Sequence, residues 1–415
     1  MKRRLFAAGV SRMLVLLLLA GCACPRTGPV AAGAGTASGR GGTAAQPGAV
    51  GWLAAADEAG KSADTAGRRA SAGGQSAGRG QQGEGHATLA FVGDILLADR
   101  IGDLIRRDGA DAPWAGVADI LQQADLAVGN LETSVGQGGV PQEGKQYTFQ
   151  AWPEALQGLA KAGVGMVGLG NNHVLDFGSE GLKKTLAALD EVGVAHTGAG
   201  LDQREAWRPV LRDVRGVTVG FLSFSRVVPE GWAAAPKHPG VASAYDEAGM
   251  LRLVRDTAAR CDVLAVSIHW GEENKQQPSV VVQKLAHRLV DAGADLVIGH
   301  HPHVWQGLST YHGALIAYSV GNFIFTTSNP IGVQTGVLLA DVSRQGVAGG
   351  RIVPARIDWG RTVKATPAQA GDFFRRIRAF SDLSLDDQGA FRLTERRRSL
   401  GARAEPAWGD PARVR

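Results

Sequence analysis

The sequence predicts an α/β fold in which mostly parallel strands alternate with helices. Five short apolar segments each end in Gly beside Asp, Asn, Glu or His, and helical stretches separate these segments. Such alternation is typical of βαβ units, whose parallel strands bring their carboxyl ends together at one edge of a sheet. We therefore expect the polar residues at these five strand ends to form one site.

The five strands and the helices between them follow from local patterns. Apolar runs bounded by glycine or polar residues predict strands, longer amphipathic stretches predict helices, and Gly163, Gly193 and Gly293 are expected to close three of the helices. The predicted strands are residues 88–92, 125–128, 165–169, 263–268 and 295–298; the predicted helices are 101–107, 117–123, 154–162, 181–192, 245–259 and 280–292. A second group of strands is predicted at 217–223, 314–319, 336–342 and 351–357. We expect this second group to form a second sheet beside the first.

The amino-terminal residues 1–21 have the pattern of an export signal. A basic segment precedes an apolar stretch too short to span a bilayer comfortably, and Leu19-Ala20-Gly21-Cys22 resembles a bacterial lipobox. That resemblance implies a lipoprotein signal peptide, a lipid anchor at Cys22 and attachment to a membrane. The alternative is an ordinary secretory signal cut near Ala20 or Ala23. Both interpretations place the protein in the cell envelope, outside the cytoplasm.

Composition divides the rest of the chain into three parts. Residues 22–86 are rich in Ala, Gly and Ser and are expected to form a disordered linker, because they offer little apolar surface to bury. Residues 87–360 are predicted to fold, and residues 361–415 are predicted to form a helical or disordered basic tail. The formal net charge is +5 for the whole chain but −5 for residues 87–374. The positive charge belongs to the ends, so we expect no nucleic-acid partner.

Three histidines follow the last predicted strand. The run 295–299 is apolar, and His300, His301 and His303 come directly after it. On a β-like segment the side chains of His301 and His303 point to the same face, so both can ligate one metal ion. Three histidines in four residues at a strand end favour a site over a polar loop.

The other strand ends carry oxygen and imidazole ligands. Asp94 follows the first strand, Asn130-Leu131-Glu132 the second, Asn171-Asn172-His173 the third and His269 the fourth. These side chains are typical ligands for divalent metals. Taken alone, Asp94 is also consistent with a helix N-cap.

Together these motifs, with Tyr318-Ser319-Val320-Gly321-Asn322-Phe323, resemble the bacterial capsule synthesis family called CapA or PgsA, which is associated with poly-γ-glutamate. The resemblance covers roughly residues 87 to 330. The family is similar in turn to calcineurin-like metallophosphoesterases. This implies a four-layer α/β sandwich, with two mixed β-sheets flanked by helices, and a site for two metal ions.

The resemblance implies roles for individual residues. His173 corresponds to a histidine that protonates a leaving group; its alternative role is a local hydrogen bond at a helix start. Asp176 is expected to cap the following helix, Glu272 to orient a ligand or face solvent, and Asn322 to line the site, with His300 beside the ligands. The metal ligands implied are Asp94, Asn130, Glu132, Asn172, His269, His301 and His303.

Two departures from the metallophosphoesterase pattern bear on the metals. Ile95 and Leu96 follow Asp94 where a histidine is usual, and Glu132 stands where a phosphoesterase has Asp. These differences leave open whether one or two ions bind. They also leave open whether the ion is Mn²⁺, Mg²⁺, Fe²⁺ or Zn²⁺.

Three functions compete at this point. The first is a metal-dependent, membrane-tethered component of poly-γ-glutamate capsule assembly, export or release, with the polymer and capsule-synthesis membrane proteins as partners. The second is a metal-dependent phosphoesterase or other hydrolase acting on a cell-envelope or small substrate. The third is a non-catalytic polymer-binding module of the same fold. An acidic domain repels a polyanion, so the first hypothesis requires a local basic groove or bound cations.

Overall fold

The computed structural model of this protein describes residues 85–393. The predicted signal peptide, Cys22, almost all of the predicted linker and residues 394–415 lie outside the described residues. None of the helices between residues 85 and 393 is long and apolar enough to cross a membrane.

The described residues form nineteen strands and eight helices. The strands are β1 (His86–Ile95), β2 (Leu126–Leu131), β3 (Ser134–Val135), β4 (Gln150–Ala151), β5 (Val164–Gly168), β6 (Ala195–Thr197), β7 (Ala199–Gly200), β8 (Val210–Val214), β9 (Val217–Ser225), β10 (Gly240–Val241), β11 (Val263–His269), β12 (Leu296–His300), β13 (Leu308–Tyr311), β14 (Ala314–Ala317), β15 (Asn322–Ile324), β16 (Gln334–Ser343), β17 (Gly346–Asp358), β18 (Arg361–Lys364) and β19 (Ala390–Arg392). The helices are α1 (Asp99–Asp108), α2 (Ala118–Leu121), α3 (Ala155–Lys161), α4 (Gly178–Glu191), α5 (Gln203–Ala206), α6 (Glu247–Ala258), α7 (Val280–Asp291) and α8 (Pro367–Phe380).

Most strands belong to two mixed sheets. The nine-stranded sheet has the order β18-β17-β16-β1-β2-β5-β6, with β15 paired to β1 and β19 paired to β17. The six-stranded sheet has the order β13-β14-β12-β11-β9-β8. Strands β1, β2, β5 and β6 run parallel in the first sheet, as do β9, β11, β12 and β14 in the second.

Three apolar cores separate four layers. In β1, Val92 faces the helices α1, α3 and α4, whereas Phe91 faces the other sheet. This alternation explains why the strand is apolar along its whole length, because both of its faces are buried. In the six-stranded sheet, Ile298 faces the first sheet and Val297 faces α6 and α7. The order helix, sheet, sheet, helix confirms the predicted four-layer sandwich.

The predicted grouping of strands was wrong. The five strand ends do not belong to one sheet, because β1, β2 and β5 lie in the nine-stranded sheet and β11 and β12 in the six-stranded sheet. Likewise β9 and β14 join the second sheet, whereas β16 and β17 join the first. Apolar runs identify buried strands but carry no information about which of two buried sheets a strand enters.

The glycines predicted to end helices do so. Gly163, Gly193 and Gly293 follow α3, α4 and α7 within two residues and have φ angles of 103°, 71° and 119°. Only glycine adopts this region without steric cost.

The residues after 360 differ from the predicted tail. β18 pairs with β17 over Arg361–Lys364, and β19 pairs with the other end of β17. Between them, α8 places Phe373 and Ile377 in the core between the two sheets. Its first turn is closed by a capping box of Thr366 and Gln369, followed by a proline that favours the helix start. The folded domain therefore extends beyond residue 360, because β18 and β19 pair with β17 and α8 buries its apolar face.

Candidate metal centre

The predicted site residues converge where the ends of the two sheets meet. Asp94 near the end of β1 is in register with Asn130 near the end of β2, and His269 at the end of β11 is in register with His300 at the end of β12. The backbone of β1 also lies very close to Gly321, since a Cβ on Gly93 would overlap the Gly321 carbonyl oxygen. The site is thus assembled from both sheets.

Asp94 is the fully buried carboxylate of the first sheet. Its oxygens lie 3.1 Å from Nδ1 of His300 and 3.2 Å from Nδ1 of His303, and one oxygen accepts a hydrogen bond of 2.9 Å from the Asn130 amide. Burial raises the pKa of Asp94, but the hydrogen bonds and charges of the two histidines outweigh burial and hold the pKa well below its ordinary value. Asp94 is therefore ionised.

Glu132, His269 and His301 form a buried group of three ligand side chains. Each side chain offers one potential ligand atom, and these three atoms lie within 4.8 Å of one another. Both Glu132 carboxylate oxygens, Nε2 of His269 and Nδ1 of His301 are buried without a hydrogen-bond partner among the described residues. Buried polar atoms are rarely left unpaired, because each unpaired atom lowers the stability of the folded protein by about 1–3 kcal/mol.

The two histidines of this group are in the protonation state that metal ligands require, and the pKa of Glu132 reflects the absence of a positive partner. Burial raises the pKa of Glu132 well above its ordinary value, and the charge of Asp94 raises it further. Burial and neighbouring charges lower the pKa of His269 well below its ordinary value and that of His301 to about 4, which keeps both rings neutral. Neutral imidazole is the form that binds metals. A cation bound between these side chains would supply the counter-charge that the Glu132 carboxylate lacks.

Two further groups overlap the first. Asp94, Glu132 and His303 lie within ligand distance of one another, as do Glu273, His301 and His303. Burial alone would lower the pKa of His303, but the charge of Glu132 and the hydrogen bond to Asp94 raise the pKa to about 9. Glu132 belongs to both buried groups, so it is the side chain that two adjacent ions would share.

His301 and His303 do not lie on a strand, because β12 ends at His300. Their φ angles are 92° and 57°, in the left-handed region that residues other than glycine seldom occupy. The predicted β-like spacing was therefore wrong, although the two rings still approach to 5.7 Å between centroids. Strained backbone of this kind is concentrated at functional sites.

Asn171 shapes the turn that presents Asn172 and His173. Its side-chain oxygen accepts hydrogen bonds of 3.0 Å from the backbone amides of His173 and Val174, and its amide group donates to Asn130 at 3.0 Å. The amide oxygen of Asn172 is buried and has no hydrogen-bond partner within the part of the chain described. Asn172 thus retains a free ligand atom, whereas the Asn130 side chain is engaged with Asp94 and Asn171.

His173 contacts a buried ion pair that the sequence did not indicate. Its Nδ1 lies 2.8 Å from Asp176 and 3.0 Å from Nζ of Lys145, which also contacts Asp176 and the Asn172 carbonyl. Phe149 packs against the ring at 4.6 Å between centroids. Burial lowers the pKa of His173, although Asp176 acts in the opposite direction.

One predicted role near the site was wrong. Asp176 does not cap α4, because α4 begins at Gly178 without a side-chain cap and the Asp176 carboxylate is held by Lys145, His173 and the Phe149 amide. Of the two roles left open for Glu272, the structure shows exposure to solvent, and Glu272 lies outside all three ligand groups. The neighbouring Glu273 belongs to one of these groups.

Asn322 lies where the sequence placed it. Its side-chain oxygen is 2.9 Å from Nδ1 of His303, and its amide donates to the His303 and Gly332 carbonyl oxygens at 3.1 and 3.2 Å. These bonds fix the loop that carries His303.

The residues of this centre fit a divalent cation. Its four unpaired buried atoms are two carboxylate oxygens and two imidazole nitrogens, which is the mixed donor set that Mn²⁺, Fe²⁺ or Zn²⁺ accepts. No described lysine or arginine is within hydrogen-bond reach of Glu132 to neutralise it.

Two mixed sheets packed face to face, helices outside them and this cluster at their ends define a four-layer α/β sandwich with a candidate metal centre. The family model of the bacterial capsule synthesis protein PGA_cap matches residues 88–327. The chain belongs to this family.

Individual proteins are similar over most of the chain. Capsule biosynthesis protein CapA of Bacillus anthracis is 30% identical over 287 residues, which cover 68% of this chain and 70% of that protein. PGA biosynthesis protein CapA of Bacillus subtilis is 29% identical over 309 residues, which cover 74% of this chain and 80% of that protein. Among solved structures, NAD nucleotidase of Haemophilus influenzae aligns with a TM-score of 0.40 and 12% identity, covering 73% of this chain and 64% of that one.

Proposed function

We propose that this protein is an exported, lipid-anchored component of poly-γ-glutamate capsule biosynthesis that carries out hydrolytic chemistry at a divalent-metal site. Membership of the PGA_cap family supports the capsule role. The observation that carries the metal site is the convergence of four buried, unpaired ligand atoms from Glu132, His269 and His301. The lipobox-like sequence ending at Cys22 supports the anchor.

Two overlapping ligand sets would hold metal. Glu132, His269 and His301, with the Asn172 oxygen, would form one set; Asp94, Glu132 and His303 would form the other. A bound divalent ion would polarise a carbonyl or phosphoryl oxygen and lower the pKa of a water ligand. Asn130, Asn171 and Asn322 would hold ligands and turns in place through hydrogen bonds.

His173 is the residue best placed to move a proton. It follows Asn172 directly, and it is close enough to His303 for the charge of that ring to lower its pKa. When Nδ1–H donates to Asp176, Nε2 remains available to exchange a proton with a leaving group. Cleavage of a γ-glutamyl amide would release polymer, whereas cleavage of a phosphoester is the second candidate, supported by the same cluster.

The test compares the full chain with His173→Gln. Each is loaded with Mn²⁺ and incubated with poly-γ-glutamate and, separately, with an artificial phosphodiester; new amino groups and released phenolate are measured. We expect the parent to cleave one substrate and the variant to bind Mn²⁺ normally but cleave at least about 100-fold more slowly. His312→Gln, an exposed histidine on a turn, is the matched control. Metal binding without cleavage of either substrate would refute hydrolysis and favour a polymer-binding module.

The anchor has its own test. Cells that express the full chain are labelled with a fatty acid, and the membrane fraction is compared with that of the Cys22→Ala variant. We expect label and membrane retention in the parent alone. Equal distribution of both proteins would contradict lipidation at Cys22.

A further inference from the structure

A cavity of about 400 Å³ lies beside the candidate metal centre. Trp270 and Gly271, which line it, follow His269 directly in the chain. Glu272 also lines the cavity, while the adjacent Glu273 groups with the metal-centre histidines. The segment 270–273 therefore separates the cavity from the metal centre by the thickness of one chain.

One wall of the cavity is apolar and belongs to the start of α7. Pro278, Val281, Val282 and Leu285 line it. Val281 is 61% exposed and Val280 62%, so two aliphatic side chains face solvent at the start of α7. Such a wall can cover the methylene groups of an extended ligand.

Arg226 also lines the cavity and provides a positive charge. Its backbone amide donates a hydrogen bond of 2.8 Å to the His269 carbonyl oxygen, so the Arg226 backbone is fixed relative to the metal centre. Its guanidinium lies 5.1 Å from the centre of the Tyr245 ring, and its Nη1 is 3.7 Å from Glu247, beyond hydrogen-bond length. Arg288 donates to that same Glu247 oxygen at 3.0 Å.

The other charges of this region are largely balanced. Glu247 is neutralised by Arg288, and Glu272 lies 4.0 Å from Lys275. Within residues 85–393 the Arg226 side chain makes no hydrogen bond, so the donors of its guanidinium remain available to a ligand. The cavity thus carries an excess positive charge in a domain whose residues 87–374 have a net charge of −5.

We propose that this cavity, which we call the Arg226 cavity, binds the α-carboxylate of a γ-linked glutamyl residue. The guanidinium would pair with the carboxylate in a two-point interaction, and the α7 wall would cover the methylene groups of the glutamyl unit. The next amide of the polymer would then lie towards the metal centre. This assignment rests on the proposed role in poly-γ-glutamate biosynthesis, and it explains how an acidic domain can engage a polyanion.

The experiment measures binding of γ-linked tetraglutamate to the Mn²⁺-loaded full chain by calorimetry. The same peptide with its α-carboxyl groups converted to carboxamides is the neutral probe. The variant is Arg226→Gln, and Arg375→Gln, an exposed arginine on α8, is the matched control. We expect the parent to prefer the acidic peptide, Arg226→Gln to raise its Kd about 10- to 100-fold and Arg375→Gln to leave the Kd unchanged.

Each alternative result has a definite meaning. If Arg226→Gln binds the acidic peptide as the parent does, or if the parent binds the carboxamide peptide equally well, the cavity assignment is wrong while the capsule function stands. If the parent binds Mn²⁺ but neither peptide, both the cavity assignment and the polymer substrate are wrong. Mn²⁺ binding by Arg226→Gln equal to that of the parent shows that a lost affinity does not come from the metal centre.

Discussion

Replacing Glu132 with Gln is expected to stabilise the metal-free protein and to abolish its stabilisation by metal. The Glu132 carboxylate is buried, and neither oxygen has a hydrogen-bond partner in the described part of the chain. Its nearest polar neighbours are Nε2 of His269 at 3.5 Å and Nε2 of His303 at 4.0 Å. A buried charge in these surroundings opposes folding unless a cation binds.

The size of the effect follows from the unpaired atoms. Replacing the carboxyl group relieves about 1–3 kcal/mol, the usual cost of an unsatisfied buried group, and the new amide can form a hydrogen bond with the unpaired nitrogen of His269. For a domain of this size each kcal/mol changes the melting temperature by about 2 °C, so a rise of about 2 to 6 °C is expected. With Mn²⁺ at about 1,000 times its Kd, the parent gains about 4.1 kcal/mol, which is more than the variant gains from the substitution, and Glu132→Gln gains almost nothing from the metal.

The assay is thermal unfolding of parent and variant, each in chelator and in Mn²⁺. The predicted result is a reversal of order: the variant melts higher in chelator and lower in Mn²⁺. A variant that melts below the parent in chelator, with an equal gain from Mn²⁺, would show that Glu132 is a structural residue and would refute the reasoning.

Three further predictions concern the fold around the site. Gly93→Ala places a Cβ against the Gly321 carbonyl oxygen and should destabilise the domain by about 3 kcal/mol, measured by denaturant unfolding; an unchanged midpoint would contradict this close approach. Asp176→Asn leaves the partly buried ammonium of Lys145 without its counter-charge and should cost at least about 2 kcal/mol in the same assay, whereas a loss below 1 kcal/mol would show that the pair is solvated. Thr366→Ala removes the cap of α8 and should cost about 1 kcal/mol without changing Mn²⁺ affinity, which a calorimetric titration checks; altered affinity would be the contrary result.

Much of the site could be predicted because its chemistry lies in short motifs at strand ends. Asp94, Glu132, His269 and His301 follow apolar runs, and strands of both sheets end at the same edge of the sandwich. The sequence pattern did not show that strands of two different sheets contribute residues to the candidate metal centre. A strand buried on both faces has no sequence signal for the sheet it joins.

Other contacts depend on loops that carry no periodicity. Lys145 comes from a glycine-rich connection 28 residues before His173, and only the fold brings the two together. Glu273 lies with the histidines and Glu272 does not; before and after these two residues the chain turns at Gly271 and Asn274, whose φ angles are 86° and 63°, and strand alternation does not describe such a turn. Asp176 could not be distinguished from a helix cap until its buried partners were known.

The most direct test of the metal centre is elemental analysis and divalent-metal titration of the full chain beside the His301→Ala/His303→Ala double variant. Circular dichroism and thermal unfolding establish that both proteins are folded. The account predicts that the parent binds at least one divalent ion and that the double variant binds it at least about 100-fold more weakly. A folded parent that binds no divalent ion would contradict the account and leave a polymer-binding module of the same fold.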